Sequence, residues 1–164
     1  SYASALNYFL KFQVKVNSDT IGTFVMFSSL LAFLGTSVLL VRLIKKYDEK
    51  LIHRIMIFIG IILMSIILFR LNLGTVSYVL MAIYTMTYEI VRSLGNSIIA
   101  HRYKHEQGKI LGVASAVGFL GNAMGSLLSG HLLNANSRLP FIVNISVMSI
   151  VLVFLLVQKT TEKK

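Results

Sequence analysis

Long uncharged runs alternate with short clusters of Lys and Arg along this chain of 164 residues. A helix needs about 20 predominantly apolar residues to cross the hydrocarbon core of a bilayer. Five runs reach or approach that length, because basic side chains at a helix end can extend their charge towards the interface. The pattern predicts full membrane spans at residues 20–44, 52–70, 73–100, 109–134 and 139–158.

A shorter uncharged run opens the chain. Its first charge is Lys11, and the ten residues before it are too few to cross a bilayer. We interpret residues 1–12 as the trailing half of a span that begins before Ser1. The sequence therefore predicts an all-α, polytopic membrane helix bundle, with residues 1–164 forming one transmembrane domain whose first helix is truncated.

The composition agrees with a membrane location. Hydrophobic residues make up 55% of the chain and charged residues 13%, whereas soluble domains have roughly 45–50% apolar and 25% charged residues. The net charge of +10 is typical of nucleic-acid binding, but the basic residues lie in short clusters between apolar runs. We therefore expect no nucleic-acid partner. The absence of cysteine excludes a disulfide framework and a thiolate metal site.

Basic residues are distributed unequally between the two sides of the predicted spans. Eleven Lys and Arg lie between residues 42 and 54, between residues 102 and 109, and in the C-terminal tail, whereas four lie on the opposite side. Cytoplasmic loops carry the excess of positive charge in membrane proteins. We therefore expect a multi-pass protein of the plasma membrane with a cytoplasmic C-terminus.

Two opposite charges interrupt the span at residues 73–100. Glu89 and Arg92 are three residues apart, so they share one face of a helix. An ionisable group at the centre of a span costs about 2.5–3.5 kcal/mol even on lenient scales, and such groups usually mark a transport pathway. Glu89 is the candidate carrier of a proton or of a cationic substrate, with Arg92 restraining its ionisation. The alternatives are a structural ion pair, or an Arg92 side chain that extends to the interface.

Aromatic and amide side chains lie near this pair in the sequence. Tyr84, Tyr88 and Asn96 fall on or near its face, where an aromatic ring can contact a lipophilic cation. Asn7 and Tyr8, in the incomplete first span, are cavity candidates of the same kind. Ordinary packing is the competing interpretation for all five residues.

Small residues dominate the span at residues 109–134. The spacings Gly121-x3-Gly125 and Ser126-x3-Gly130 let two helices approach backbone to backbone. We predict that Gly118, Gly121, Gly125 and Gly130 are helix-packing positions and that this span is covered by protein.

Chemistry other than transport has little support in the sequence. His101 and His105 have a spacing that could hold a metal, but they lie in a basic loop, and a solvated loop is the preferred interpretation. No P-loop, Gly-x-Ser-x-Gly or His-Glu-x-x-His motif occurs. We expect no metal, no cofactor and no enzymatic activity, and an ion gradient as the energy source.

Three segments resemble one family of transporters. They are the basic segment Gly35 to Lys50, the segment His105 to Gly112 together with Gly118 to Gly130, and the segment Tyr88 to Arg92. In these segments the chain resembles the C-terminal half of a major facilitator superfamily transporter, from the end of helix seven through helix twelve. Among these transporters it is similar to the multidrug/proton antiporters of Gram-positive bacteria.

The resemblance implies a six-helix half of the major facilitator fold, with a six-helix N-terminal half as its partner. It also implies proton-coupled efflux of lipophilic cations through a cavity lined by the helix that carries Glu89. The alternatives are proton-coupled uptake or export of a small metabolite, or a membrane scaffold that does not transport. The chain departs from the pattern of this family at two places. Ser126 stands where many of these transporters have Pro, and residues 1–12 contain no carboxylate.

Overall fold

The computed structural model of the protein describes residues 18–69, 75–136 and 138–161, and all the regular structure in these ranges is helical. The predicted all-α helix bundle is confirmed. We number the α-helices in chain order. They are α1 (Ser18–Leu34), α2 (Val41–Ile44), α3 (Glu49–Phe69), α4 (Thr75–Arg102), α5 (Gln107–Ala135) and α6 (Leu139–Thr161).

Helices α1 and α2 are joined by a π-helical segment, Gly35–Leu40, without a break in the chain direction. The residues at its borders, Leu34 and Val41, both have right-handed helical dihedral angles. Gly35 lies against α4 so closely that a Cβ atom there would collide with the side chain of Met86. The glycine therefore permits the close approach of α1 and α4. Single π turns inside helices are frequent at functional sites.

Helix α4 occupies the centre of the bundle. It packs extensively against α1 and α3 and also meets the π-helical segment and α5. Two buried clusters hold these helices together. One cluster contains Met64, Ile67, Met81, Tyr84 and Phe141, and the other contains Leu40, Ile52, Ile90 and Leu94.

Four helical stretches in the described residues are long and apolar enough to cross a membrane, by length and composition: Asp19–Ile44, Glu49–Phe69, Gln107–Leu132 and Leu139–Val157. Helix α4 is outside this set, although the sequence predicts a span at residues 73–100. Tyr, Thr and Ser residues and the Glu89–Arg92 pair interrupt its apolar residues. A central helix tolerates such groups because its neighbours, and not lipid, surround much of its surface.

Helix α5 differs from the sequence prediction. Gly118, Gly121 and Gly130 each have open space where a Cβ atom would stand, and Phe119 on the same helix is 68% exposed. Close packing of these three glycines is therefore absent in the part of the chain that the structure describes. The physical reason is that α5 contacts α4 and α6 much less extensively than α3 contacts α4. Gly125 is half-buried, and Ser129 is buried one turn further along.

Candidate functional site

A cleft of about 320 Å³ lies between α1 and α4, at the level of the π-helical segment. The residues that line it are Ser29, Ala32, Phe33, Thr36, Thr85 and Glu89. Helix α1 supplies Ser29, Ala32 and Phe33, and the π-helical segment supplies Thr36. The cleft therefore combines one carboxylate with three hydroxyl groups and one aromatic ring.

Two of the hydroxyl groups are held by their own helices. The Oγ1 of Thr36 donates towards the carbonyl oxygens of Ala32 at 3.0 Å and Phe33 at 3.1 Å. The Oγ1 of Thr85 donates to the carbonyl oxygen of Met81 at 2.9 Å. Since a hydroxyl group has a single hydrogen, these bonds fix the orientation of both threonine side chains.

The Glu89 carboxylate is accessible in this cleft. Its Oε2 lies 3.8 Å from Nη1 of Arg92, and the side chains are 39% and 59% exposed, respectively. The pair predicted from the i, i+3 spacing is therefore formed in the structure. An exposed pair of this length contributes little to stability. The carboxylate retains an oxygen, Oε1, for a further partner.

Tyr84 lies elsewhere, and this corrects the expectation that it lines a cavity with Glu89. Its side chain is fully buried, and its hydroxyl donates to Oδ1 of Asn144 at 3.0 Å and also approaches Sδ of Met148 at 3.5 Å. The helical repeat explains the separation, because residues five apart differ by about 140° around a helix with 3.6 residues per turn. Tyr84 therefore joins α4 to α6, while Glu89 faces α1.

The other residues predicted near the pair are dispersed. Tyr88 is half-buried in a groove of about 300 Å³ between α4, α5 and α6, where Gly121, Gly125 and Asn144 also contribute to the wall. Asn96 is exposed on α4. Asn7 and Tyr8 lie outside the described residues. The structure thus brings Glu89 together with Arg92, Thr85 and α1, and not with the tyrosines.

A second polar cluster, which the sequence did not predict, joins the first turn of α3 to the last turns of α4. Both carboxylate oxygens of Glu49 lie 3.3–3.4 Å from Oγ of Ser97, and Oε2 lies 3.3 Å from Nδ1 of His101. The i, i+4 spacing of Ser97 and His101 was the available signal, but the residue opposite them could not be identified from it. Asp48, Lys50 and Arg102 line an adjacent cavity of about 480 Å³. Within the described ranges, no group of His, Asp and Glu residues could hold a metal ion.

A bundle of apolar helices around a polar central helix, with a carboxylate in a cleft between two helices, is typical of membrane transport proteins. The sequence model of the Major Facilitator Superfamily matches residues 1–164. The chain therefore belongs to that superfamily, which is a family of secondary transporters and not of enzymes. Its predicted membrane location, lipid contact and transport of a small molecule are confirmed at this level. No curated protein and no solved structure matches the chain.

Proposed function

We propose that the protein is a proton-coupled antiporter that expels amphiphilic cations from the cell, with Glu89 as the group that binds proton and substrate in turn. The observation that carries the proposal is the position of Glu89 in the cleft between α1 and α4, among the hydroxyl groups of Ser29, Thr36 and Thr85. A structural ion pair would need no such cleft. The membrane setting and the superfamily support the transport step.

Exchange follows from the chemistry of one carboxylate. The ionised Glu89 attracts a cation, whereas a proton on its oxygen removes the negative charge and with it the main attraction for the cation. Proton and substrate therefore compete for the same group, which is the requirement for exchange. Phe33 in the cleft wall offers an apolar and aromatic surface for the body of the cation.

The proposed setting is the plasma membrane, with the C-terminus in the cytoplasm and a six-helix N-terminal half completing the transport pathway. The contact of Glu49 with Ser97 and His101 supports the topology. It holds the beginning of α3 beside the end of α4, so the basic loops before α3 and after α4 lie at one end of the bundle. The excess of Lys and Arg in both loops supports a cytoplasmic location for that end.

The test compares Glu89→Gln with Glu106→Gln in cells that express the protein and export a fluorescent lipophilic cation. Glu106 is exposed in the loop before α5, outside the cleft. Its substitution therefore removes the same charge as Glu89→Gln at a position without a role in the proposed exchange. We expect Glu89→Gln to abolish gradient-dependent efflux at an unchanged level in the membrane, and Glu106→Gln to retain it. Efflux by Glu89→Gln equal to that of the unmodified protein would refute the role of this carboxylate.

A further inference from the structure

The cleft that contains Glu89 offers mainly hydrogen-bond acceptors to a ligand. A threonine hydroxyl has one hydrogen and two acceptor lone pairs. The hydrogen of Thr36 is directed at the carbonyl oxygens of Ala32 and Phe33, and that of Thr85 at the carbonyl oxygen of Met81. Both threonine residues line the cleft. They therefore present lone pairs, and no hydrogen, to a molecule bound there.

Glu89 adds further acceptor sites. An ionised carboxylate only accepts hydrogen bonds, through two oxygens. Arg92 approaches Oε2 at 3.8 Å, beyond hydrogen-bond distance, and its side chain is 59% exposed. Ser29 has a hydroxyl group that can accept as well as donate, and it is exposed at the rim of the cleft. The walls are thus negative and rich in acceptors.

We propose, on the basis of the function proposed above, that this cleft selects cations that carry N–H groups. A protonated primary amine has three N–H groups, so it can donate to Glu89 and to the oxygens of Thr36 and Thr85, whereas a protonated tertiary amine has a single N–H for one of them. A quaternary ammonium or phosphonium ion of the same size has no such hydrogen, so these acceptors lose their water without gaining a partner. Its alkyl groups also hold the positive charge further from the carboxylate. Phe33 attracts both kinds of cation and does not discriminate between them.

Two cations with the same aromatic ring test this inference. Benzylamine, in its protonated form with three N–H groups, and benzyltrimethylammonium, which has none, are titrated into the protein in lipid nanodiscs, and their dissociation constants are measured by calorimetry. We expect the protonated amine to bind at least about tenfold more tightly, because hydrogen bonds with a charged donor are among the strongest in proteins. Equal affinities of the two cations would overturn the inference.

Threonine variants locate the selectivity. Thr36→Val and Thr85→Val remove one acceptor each at constant shape, so each should weaken binding of the amine about threefold to tenfold and leave benzyltrimethylammonium unaffected. Thr85→Ser should restore the preference, since the hydroxyl group is retained. Thr23→Val is the matched control, because Thr23 makes the same type of bond, to the carbonyl oxygen of Asp19 at 2.8 Å, on the exposed surface of α1. A preference that survives in the double variant Thr36→Val/Thr85→Val would overturn the inference.

Glu89→Gln separates the two proposals. If both cations bind the unmodified protein equally and lose affinity in Glu89→Gln, the selectivity is wrong and the proposed function stands. If the preference for the amine disappears in the valine variants but neither cation responds to Glu89→Gln, the role of the carboxylate is wrong and the hydroxyl selectivity stands. Failure of both cations to bind the unmodified protein would overturn both proposals.

Discussion

Substitution of Gly35 by leucine should separate the two helices that form the Glu89 cleft. A Cβ atom at this position would collide with Cγ of Met86, would lie 2.8 Å from its Sδ, and would lie 3.5 Å from Cδ1 of Ile90. The Cγ atom is close to the backbone of α4, so a rotation at the end of the Met86 side chain does not relieve the contact. Helix α1 must then move away from α4, and Thr36 must move away from Glu89.

The size of the effect follows from two opposing contributions. Overpacking of a core contact costs about 1–3 kcal/mol. The cost of leucine lies at the upper end of this range, because its further carbon atoms also need space. Replacement of a helical glycine regains about 1 kcal/mol of helix propensity. We therefore expect Gly35→Leu to lower the free energy of unfolding by about 2 kcal/mol. Binding of a cation to Glu89 should weaken at the same time.

Gly22→Leu is the control in the same helix, since no atom lies within 4 Å of a Cβ atom built there. Unfolding in detergent is followed by circular dichroism for both variants. The double variant Gly35→Leu/Met86→Ala removes the side chain that causes the collision and should recover more than half of the lost stability. Equal stability of Gly35→Leu and Gly22→Leu, or no recovery in the double variant, would show that Gly35 is not a contact point.

Two further substitutions test the packing of α4 and α5. Tyr84→Phe removes the hydrogen bond to Oδ1 of the half-buried Asn144, 3.0 Å away, and should lower the free energy of unfolding by about 0.5–1.5 kcal/mol. Tyr88→Phe, in the open groove, should have a smaller effect. The same unfolding measurement decides, and equal losses would contradict the assignment of Tyr84 to the core. Gly121→Leu should not lower the stability of the chain, because open space surrounds this glycine; a loss comparable to that of Gly35→Leu would restore the packing role predicted from the Gly-x3-Gly spacing.

The sequence alone was sufficient for the class of fold and for the pair at the candidate site. The thickness of a bilayer and the rise of a helix together set a minimum length for an apolar run, so the runs themselves predict helices. The spacing of Glu89 and Arg92 predicts their contact, because residues three apart are neighbours on any helix. Both conclusions depend on local geometry, which does not change with the arrangement of the other helices.

The tertiary structure decided which face of each helix is covered. Tyr84 and Glu89 are close in sequence, yet α6 covers the first and α1 borders the second. Gly35 and Gly60 lie at close helix contacts, against Met86 and Met148, whereas Gly121 of the Gly-x3-Gly spacing faces open space. The partners that make these differences, Asn144 for Tyr84 and Glu49 for His101, are 60 and 52 residues away along the chain. A helix has the same periodicity whichever neighbours it meets, so side-chain spacing identifies its faces but cannot tell which face packs against another helix.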